Sequence, residues 1–144
     1  MLRVQAALLR EMDAELTAAH GLPLRSYEVL LNLEGAPGHR QRMTELCHNA
    51  VLSASGVSRL VDRLEKDGYV RRERCTYDGR GFFTVLTPKG GRKLKEARAT
   101  HLAGVRRLFL ERLEDADLVR LAEYWEALVP GATATTWSPD EARA

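Results

Sequence analysis

The run Leu52-Ser53-Ala54-Ser55-Gly56-Val57-Ser58-Arg59-Leu60-Val61-Asp62-Arg63-Leu64-Glu65-Lys66-Asp67-Gly68-Tyr69-Val70 decides how the chain is read. Val57, Leu60, Val61 and Leu64 recur at i, i+3, i+4 and i+7, one apolar stripe on a helix over 54–67. The opposite face carries Ser55, Ser58, Arg59, Asp62 and Arg63. Ser53 is placed to cap this helix, its hydroxyl accepting from an otherwise unpaired N–H. Gly68 suits the left-handed position just beyond the last turn. The first turn is small (Ala54, Ser55, Gly56), so the backbone there can approach another surface closely.

Downstream the period changes from helix to strand. Tyr69-Val70-Arg71-Arg72-Glu73-Arg74 and Phe82-Phe83-Thr84-Val85-Leu86 are rich in β-branched, aromatic and alternating residues, and read as two strands. Cys75-Thr76-Tyr77-Asp78-Gly79-Arg80-Gly81 between them is a turn-rich hairpin loop. Thr87-Pro88 is a helix start, Thr87 as N-cap and Pro88 at the first helical position. That helix carries Leu94, Ala97, Leu102, Val105, Leu108 and Phe109, and Gly90 and Gly91 weaken its first turn. Asp115 is read as the cap of a last helix with Leu118, Leu121, Ala122, Trp125 and Leu128, ended by Pro130 and Gly131. Residues 132–144 lack periodicity and read as a loose tail.

Upstream, Leu9, Met12, Leu16 and Ala19 mark a helix over 2–19, stopped by Gly21 and Pro23. Ser26 is read as the N-cap of a second helix with Tyr27, Leu30, Leu31 and Glu34. Gly35-Ala36-Pro37-Gly38 is a loop, and a short helix over 43–50 precedes the deciding run. The order is four helices, two strands, two helices. Two short helices followed by a β-hairpin predict a mainly α protein with a small β-hairpin wing, a winged helix-turn-helix. Residues 1–131 are expected to form one domain, with 24–95 as the winged unit.

Composition agrees with a globular domain. The 144 residues are 44% apolar and 29% charged, with a formal net charge of +2. No run approaches the roughly 18 apolar residues of a membrane span. The first residues show no charged leader followed by an apolar stretch, so no secretory signal is expected. Two cysteines, Cys47 and Cys75, make no disulfide framework and fit a reducing cytoplasm. The charge is unevenly spread. Residues 51–93 hold 10 basic and 5 acidic groups, whereas residues 109–144 hold 3 and 8. A basic middle with an acidic end predicts a polyanionic partner for the middle.

The basic groups sort by what they can reach. From the exposed face of the 54–67 helix, Arg59 can donate two bonds to a guanine edge in the major groove, worth about 1–3 kcal/mol of base discrimination. Arg71, Arg72 and Arg74 lie on the first strand, and Arg80 stands near the hairpin tip, suited to the negative potential of a minor groove. Asp78 can brace Arg80 or tighten the loop. Lys66, Lys89, Arg92 and Lys93 are candidate phosphate contacts. The sequence carries no Ser/His/Asp set, no Gly-rich phosphate loop and no zinc-like spacing of His20, His39, His48 and His101. No enzyme activity, cofactor or metal is expected.

These linked motifs resemble MarR-family transcriptional regulators. The run over 52–70 is similar to that family's recognition helix and turn. Asp78-Gly79-Arg80-Gly81 and Val85-Leu86-Thr87-Pro88-Lys89-Gly90 are similar to its wing and following helix. The resemblance is close over residues 24–95. It implies that Ser53, Ser55, Ser58, Arg59 and Arg63 hold recognition-helix positions and that Arg80 is the wing-tip arginine, supported by Asp78. Where the family often has two consecutive arginines after the aspartate, this chain has Gly79-Arg80, one positive charge fewer. The resemblance also implies a homodimer built from helices over 1–20 and 96–129. It implies a repressor acting on a palindromic double-stranded DNA operator and released by a small aromatic or phenolic effector. By periodicity alone, the terminal stripes fit an intrachain core or a dimer seam equally. Tyr27, His20 and His101 are polar or aromatic candidates to line an effector site, though each also fits a structural role. Two alternatives stand beside this reading: a redox-sensing regulator using Cys75 or Cys47, and a winged-helix protein-interaction module that binds no DNA.

Overall fold

The computed structural model describes residues 2–49, 54–74 and 81–131. The elements run α1 (Leu2–His20), α2 (Leu24–Gly35), β1 (Arg40–Arg42), α3 (Met43–Asn49), α4 (Ala54–Lys66), β2 (Val70–Arg74), β3 (Phe82–Leu86), α5 (Pro88–Leu108) and α6 (Asp115–Leu128). Short 3-10 turns occupy Pro37–His39 and Leu110–Arg112. This is the mainly helical, winged arrangement expected from the order of periods. Ser53, Cys75, Asp78, Arg80 and the tail over 132–144 lie outside the described residues.

The wing is larger than a hairpin. β1 adds to it, giving an antiparallel sheet in the order β1-β3-β2, with Arg40 opposite Val85 and Arg71 opposite Val85 from the other side. β1 went unread because Arg40-Gln41-Arg42 is three residues with no apolar member. Its edge position explains that composition. One side of the strand is solvent, and only β3 gives it a pairing partner.

The core is one cluster joining the winged unit to α1 and the first half of α5. Leu16 of α1, Leu30 and Leu33 of α2, Val57, Val61 and Leu64 of α4 and Leu94 of α5 all belong to it, each at most 1% exposed. The α4 stripe is thus core, which leaves its other face to solvent.

Three local expectations change. Ser26 does not cap α2. The helix starts two residues earlier, at Leu24, whose N–H donates to Asp13 Oδ1 on α1 at 2.8 Å. Ser26 is buried within the helix. Asp115 lies in the first turn of α6, and Glu114 is the residue at the cap position, with no side-chain cap bond. Gly90 is more than a weak point in α5. A Cβ there would sit 2.1 Å from the Tyr69 carbonyl oxygen, so only glycine lets α5 start against the end of the α4–β2 turn. Thr87 does cap α5, accepting from the Gly90 N–H at 3.0 Å while its hydroxyl donates to the Gly68 carbonyl at 2.7 Å.

Candidate nucleic-acid interface

The exposed side of α4 is set by its buried side. With Val57, Val61 and Leu64 in the core, Ser55, Arg59, Asp62, Arg63 and Lys66 are turned outward, and Ser58 is half-buried at the margin. Arg59 folds back along the helix, its Nε donating to the Ser55 carbonyl at 3.4 Å. A bond that long is easily given up for a better acceptor.

The end of α4 is built firmly. Gly68 adopts φ +76°, its N–H donates to the Glu65 carbonyl and the Tyr69 N–H donates to the Leu64 carbonyl, each at 2.9 Å. This pair of bonds is a Schellman motif, which satisfies the last carbonyls and turns the chain into β2. Lys89 closes the same end. Its Nζ donates to the Asp67 carbonyl at 2.7 Å and lies 5.2 Å from the centre of the Tyr69 ring. A cation at a helix C-terminus is favourably placed against the helix dipole. Lys89 thus caps the end of α4 while its side chain stays exposed to solvent. Arg92 remains exposed and Lys93 half-exposed on the first turns of α5.

The three strand arginines have different roles. Arg71 pairs with Glu73 on its own strand. Arg74 is exposed at the end of β2. Arg72 reaches the opposite way, to α4. Its Nη2 donates to Asp62 Oδ1 at 2.5 Å, its Nη1 to Glu65 Oε2 at 2.7 Å, and its backbone N–H to Glu65 Oε1 at 3.1 Å. The Asp62 hydrogen bond, the largest contribution, raises the guanidinium pKa above its ordinary value. Two further arginines were not singled out from sequence. Arg40 and Arg42 of β1 hold their guanidinium carbons 4.9 and 5.5 Å from the centre of the Phe83 ring. Once β1 is paired with β3, the two-residue repeat of a strand puts both arginines on one face; three polar residues alone give no such signal.

Deeper in, His20 Nε2 and Thr100 Oγ1 are hydrogen-bonded at 2.7 Å, linking α1 to α5. Tyr27 is buried, and its ring centre lies 4.6 Å from that of His101. Burial raises the Tyr27 hydroxyl pKa, with Arg98 acting against it, and burial lowers that of His101. These contacts join α1 to α5 and α2 to α5. Cys47 is half-buried against the core from α3. Among the described residues no cluster of His, Cys, Asp and Glu is fit to hold a metal, and no helix is long and apolar enough to cross a membrane.

Two short helices, the second solvent-facing on its polar side, joined through a glycine turn to an antiparallel wing, define a winged helix-turn-helix protein. A sequence profile of the MarR family matches residues 20–81. Over nearly the whole chain the structure is similar to AbsC, a MarR family transcriptional regulator from Streptomyces coelicolor. Identity is 32%, 93% of this chain and 90% of AbsC are covered, and the TM-score is 0.82. It is also similar to Sco3205 from the same organism, solved in complex with DNA, at 34% identity over 92% of this chain and 82% of that one, with a TM-score of 0.84. In sequence it is 30% identical over 88 residues to the HTH-type transcriptional repressor YetL of Bacillus subtilis, covering 61% of this chain and 53% of YetL. The chain thus matches about half of that repressor's length. The chain belongs to the MarR family of transcriptional regulators.

Proposed function

We propose that this protein is a homodimeric, ligand-responsive repressor that binds a palindromic DNA operator. One observation carries the reading: α4 gives one side to the core and turns Ser55, Arg59 and Arg63 outward. Short hydroxyl side chains allow close approach to a major-groove floor, and a guanidinium can read a guanine edge there. Ser53 and Ser58 complete the recognition surface. Arg80, braced by Asp78, enters the adjacent minor groove from the wing. That Sco3205 was solved in complex with DNA supports DNA binding, and the name of YetL supports repression.

A second copy is implied by α6. No residue of that helix is buried, and Val119, Tyr124 and Leu128 are at least 60% exposed. A cleft of about 680 Å³ between α1, α5 and α6, lined by Val4, Leu8, Met12, Val105, Phe109 and Trp125, adds to the same apolar surface. A dyad through this region presents two α4 helices to half-sites about 34–36 Å apart. A small aromatic or phenolic effector then needs only to prefer the state in which those helices are wrongly spaced. Such a regulator works in the cytoplasm.

A duplex enriched from a random-sequence library tests the DNA reading. Affinity should fall steeply as salt rises, because phosphate contacts release counterions. A flat salt response, or no enrichment, points instead to a protein-interaction module. Arg59→Ala should relax base preference more than it lowers non-specific affinity; an equal loss on all sequences assigns Arg59 to phosphate. Arg80→Ala should weaken operator binding by about 1 kcal/mol or more with the fold intact. Phenolic and aromatic acids titrated into the complex should release the duplex. Release by none of them removes the effector from the reading.

A further inference from the structure

Asp62 is a puzzle on a helix meant to meet phosphate. It stands on the outward side of α4 with 58% of its side chain exposed, a negative charge facing a polyanion. Glu65, one turn on, adds a second. Electrostatics alone favours neither residue there.

Both carboxylates converge on Arg72. β2 is an edge strand, and the Arg72 N–H is one of those on its outer side, where it donates to Glu65. Glu65 takes that N–H with one oxygen and Nη1 with the other; Asp62 takes Nη2. A planar fork bound at two carboxylates, with the backbone held beside it, fixes direction as well as distance. These three bonds tie the last turns of α4 to β2.

We infer that Arg72, Asp62 and Glu65 form a brace that sets the angle between the recognition helix and the wing, so that both fit one DNA half-site together. Arg72 is a positioning residue and does not itself touch DNA. The inference rests on the DNA-binding reading above, and it makes a prediction of unusual sign. Removing the negative charge of Asp62 should weaken DNA binding.

The test compares Asp62→Asn, Glu65→Gln, Arg72→Gln and Arg72→Lys with the parent full-length protein. The probe is the duplex enriched by the parent from a random-sequence library. Affinity and its salt dependence are measured by fluorescence anisotropy, with the thermal midpoint of each variant recorded alongside. Asp62→Asn should lose about two- to fivefold in affinity, the upper part of the range expected when a partly exposed ion pair is broken. Arg72→Gln should lose at least as much with the salt slope unchanged. The double variant Asp62→Asn/Arg72→Gln should be no weaker than Arg72→Gln alone. Arg72→Lys keeps the charge but not the fork, and should fail to restore affinity. Tighter binding by Asp62→Asn overturns the brace, as does full affinity in Arg72→Lys. So does a salt slope that falls by about one in Arg72→Gln, which marks a direct phosphate contact. Affinity losses that track losses of thermal midpoint mark a general folding role and overturn it too. If the parent enriches no duplex at all, the DNA-binding reading fails first and the brace with it.

Discussion

Leu30 and Leu128 are both leucines on the apolar stripe of a helix, and they meet opposite fates. Leu30 of α2 exposes nothing, while Leu128 of α6 leaves 72% of its surface in water. The same division separates whole regions. From α2 to β3 the stripes close on one another, and Leu16, Leu94 and Ala97 from the neighbouring helices complete the cluster. Beyond Gly104 no described residue is buried. The winged unit is thus closed by its own stripes together with α1 and the first half of α5. The C-terminal helix displays apolar surface that no described residue covers, and that difference is the ground for the proposed second copy.

The largest effect expected is in the closed region. Leu30→Ala removes a fully buried side chain and should cost about 2–5 kcal/mol of unfolding free energy, measured by denaturant titration. A cost under about 0.5 kcal/mol, typical of surface sites, would break the comparison at its stronger end. Gly90→Ala comes next. The added methyl meets backbone, the Tyr69 carbonyl, which cannot swing aside like a side chain. A loss of about 1–3 kcal/mol is expected, and the α5 start should lose amide-exchange protection before the rest of the lobe. The double change Tyr124→Asp/Leu128→Asp should leave the fold of one chain within about 0.5 kcal/mol, because neither side chain is covered within it. It should convert a sedimenting dimer to a monomer. A variant that still sediments as a dimer would place the seam elsewhere.

The winged unit was legible because its signals are local. The α4 stripe, the glycine at the left-handed turn and the Thr87-Pro88 start each involve residues close in sequence, and the structure places each where its local chemistry requires. What was missed depends on partners distant in sequence. The cap of α2 comes from Asp13 on another helix, so Ser26 was credited with it. β1 exists because β3 pairs with it, and three polar residues give no period of their own. Arg72 read as one more basic group on a wing. Its two carboxylates lie seven and ten residues away, on an element whose angle to β2 no local pattern specifies. The candidate site was thus legible in its residue types on α4, and not in which charges are already committed to one another. The loop residues Asp78 and Arg80 rest on the family resemblance and on the measurements proposed above.

The smallest effect lies at the join of the two regions. His101 of α5 packs its ring against Tyr27 of α2, with Arg98 and Glu34 paired nearby and His20 bonded to Thr100 on the α1 side. Its Nδ1 is buried without a hydrogen-bond partner, and burial holds its pKa below the ordinary 6.5. The folded state thus keeps the ring neutral while the unfolded chain takes up a proton below about pH 6.5. Where the unfolded state binds more protons, stability rises with pH. This contribution is therefore complete above about pH 6.5 and declines as pH falls below it, until the folded ring is also protonated. The parent curve sums every titrating group and alone does not isolate this one. The difference between the parent and His101→Leu does, because leucine fills much of the same apolar space with no proton to gain. The variant's thermal midpoint should fall less than the parent's between pH 7 and pH 5, a range chosen to span the ordinary histidine pKa. Parallel curves would mean that His101 titrates alike in both states, and that the join between the closed lobe and the open helices is wetter than its packing indicates.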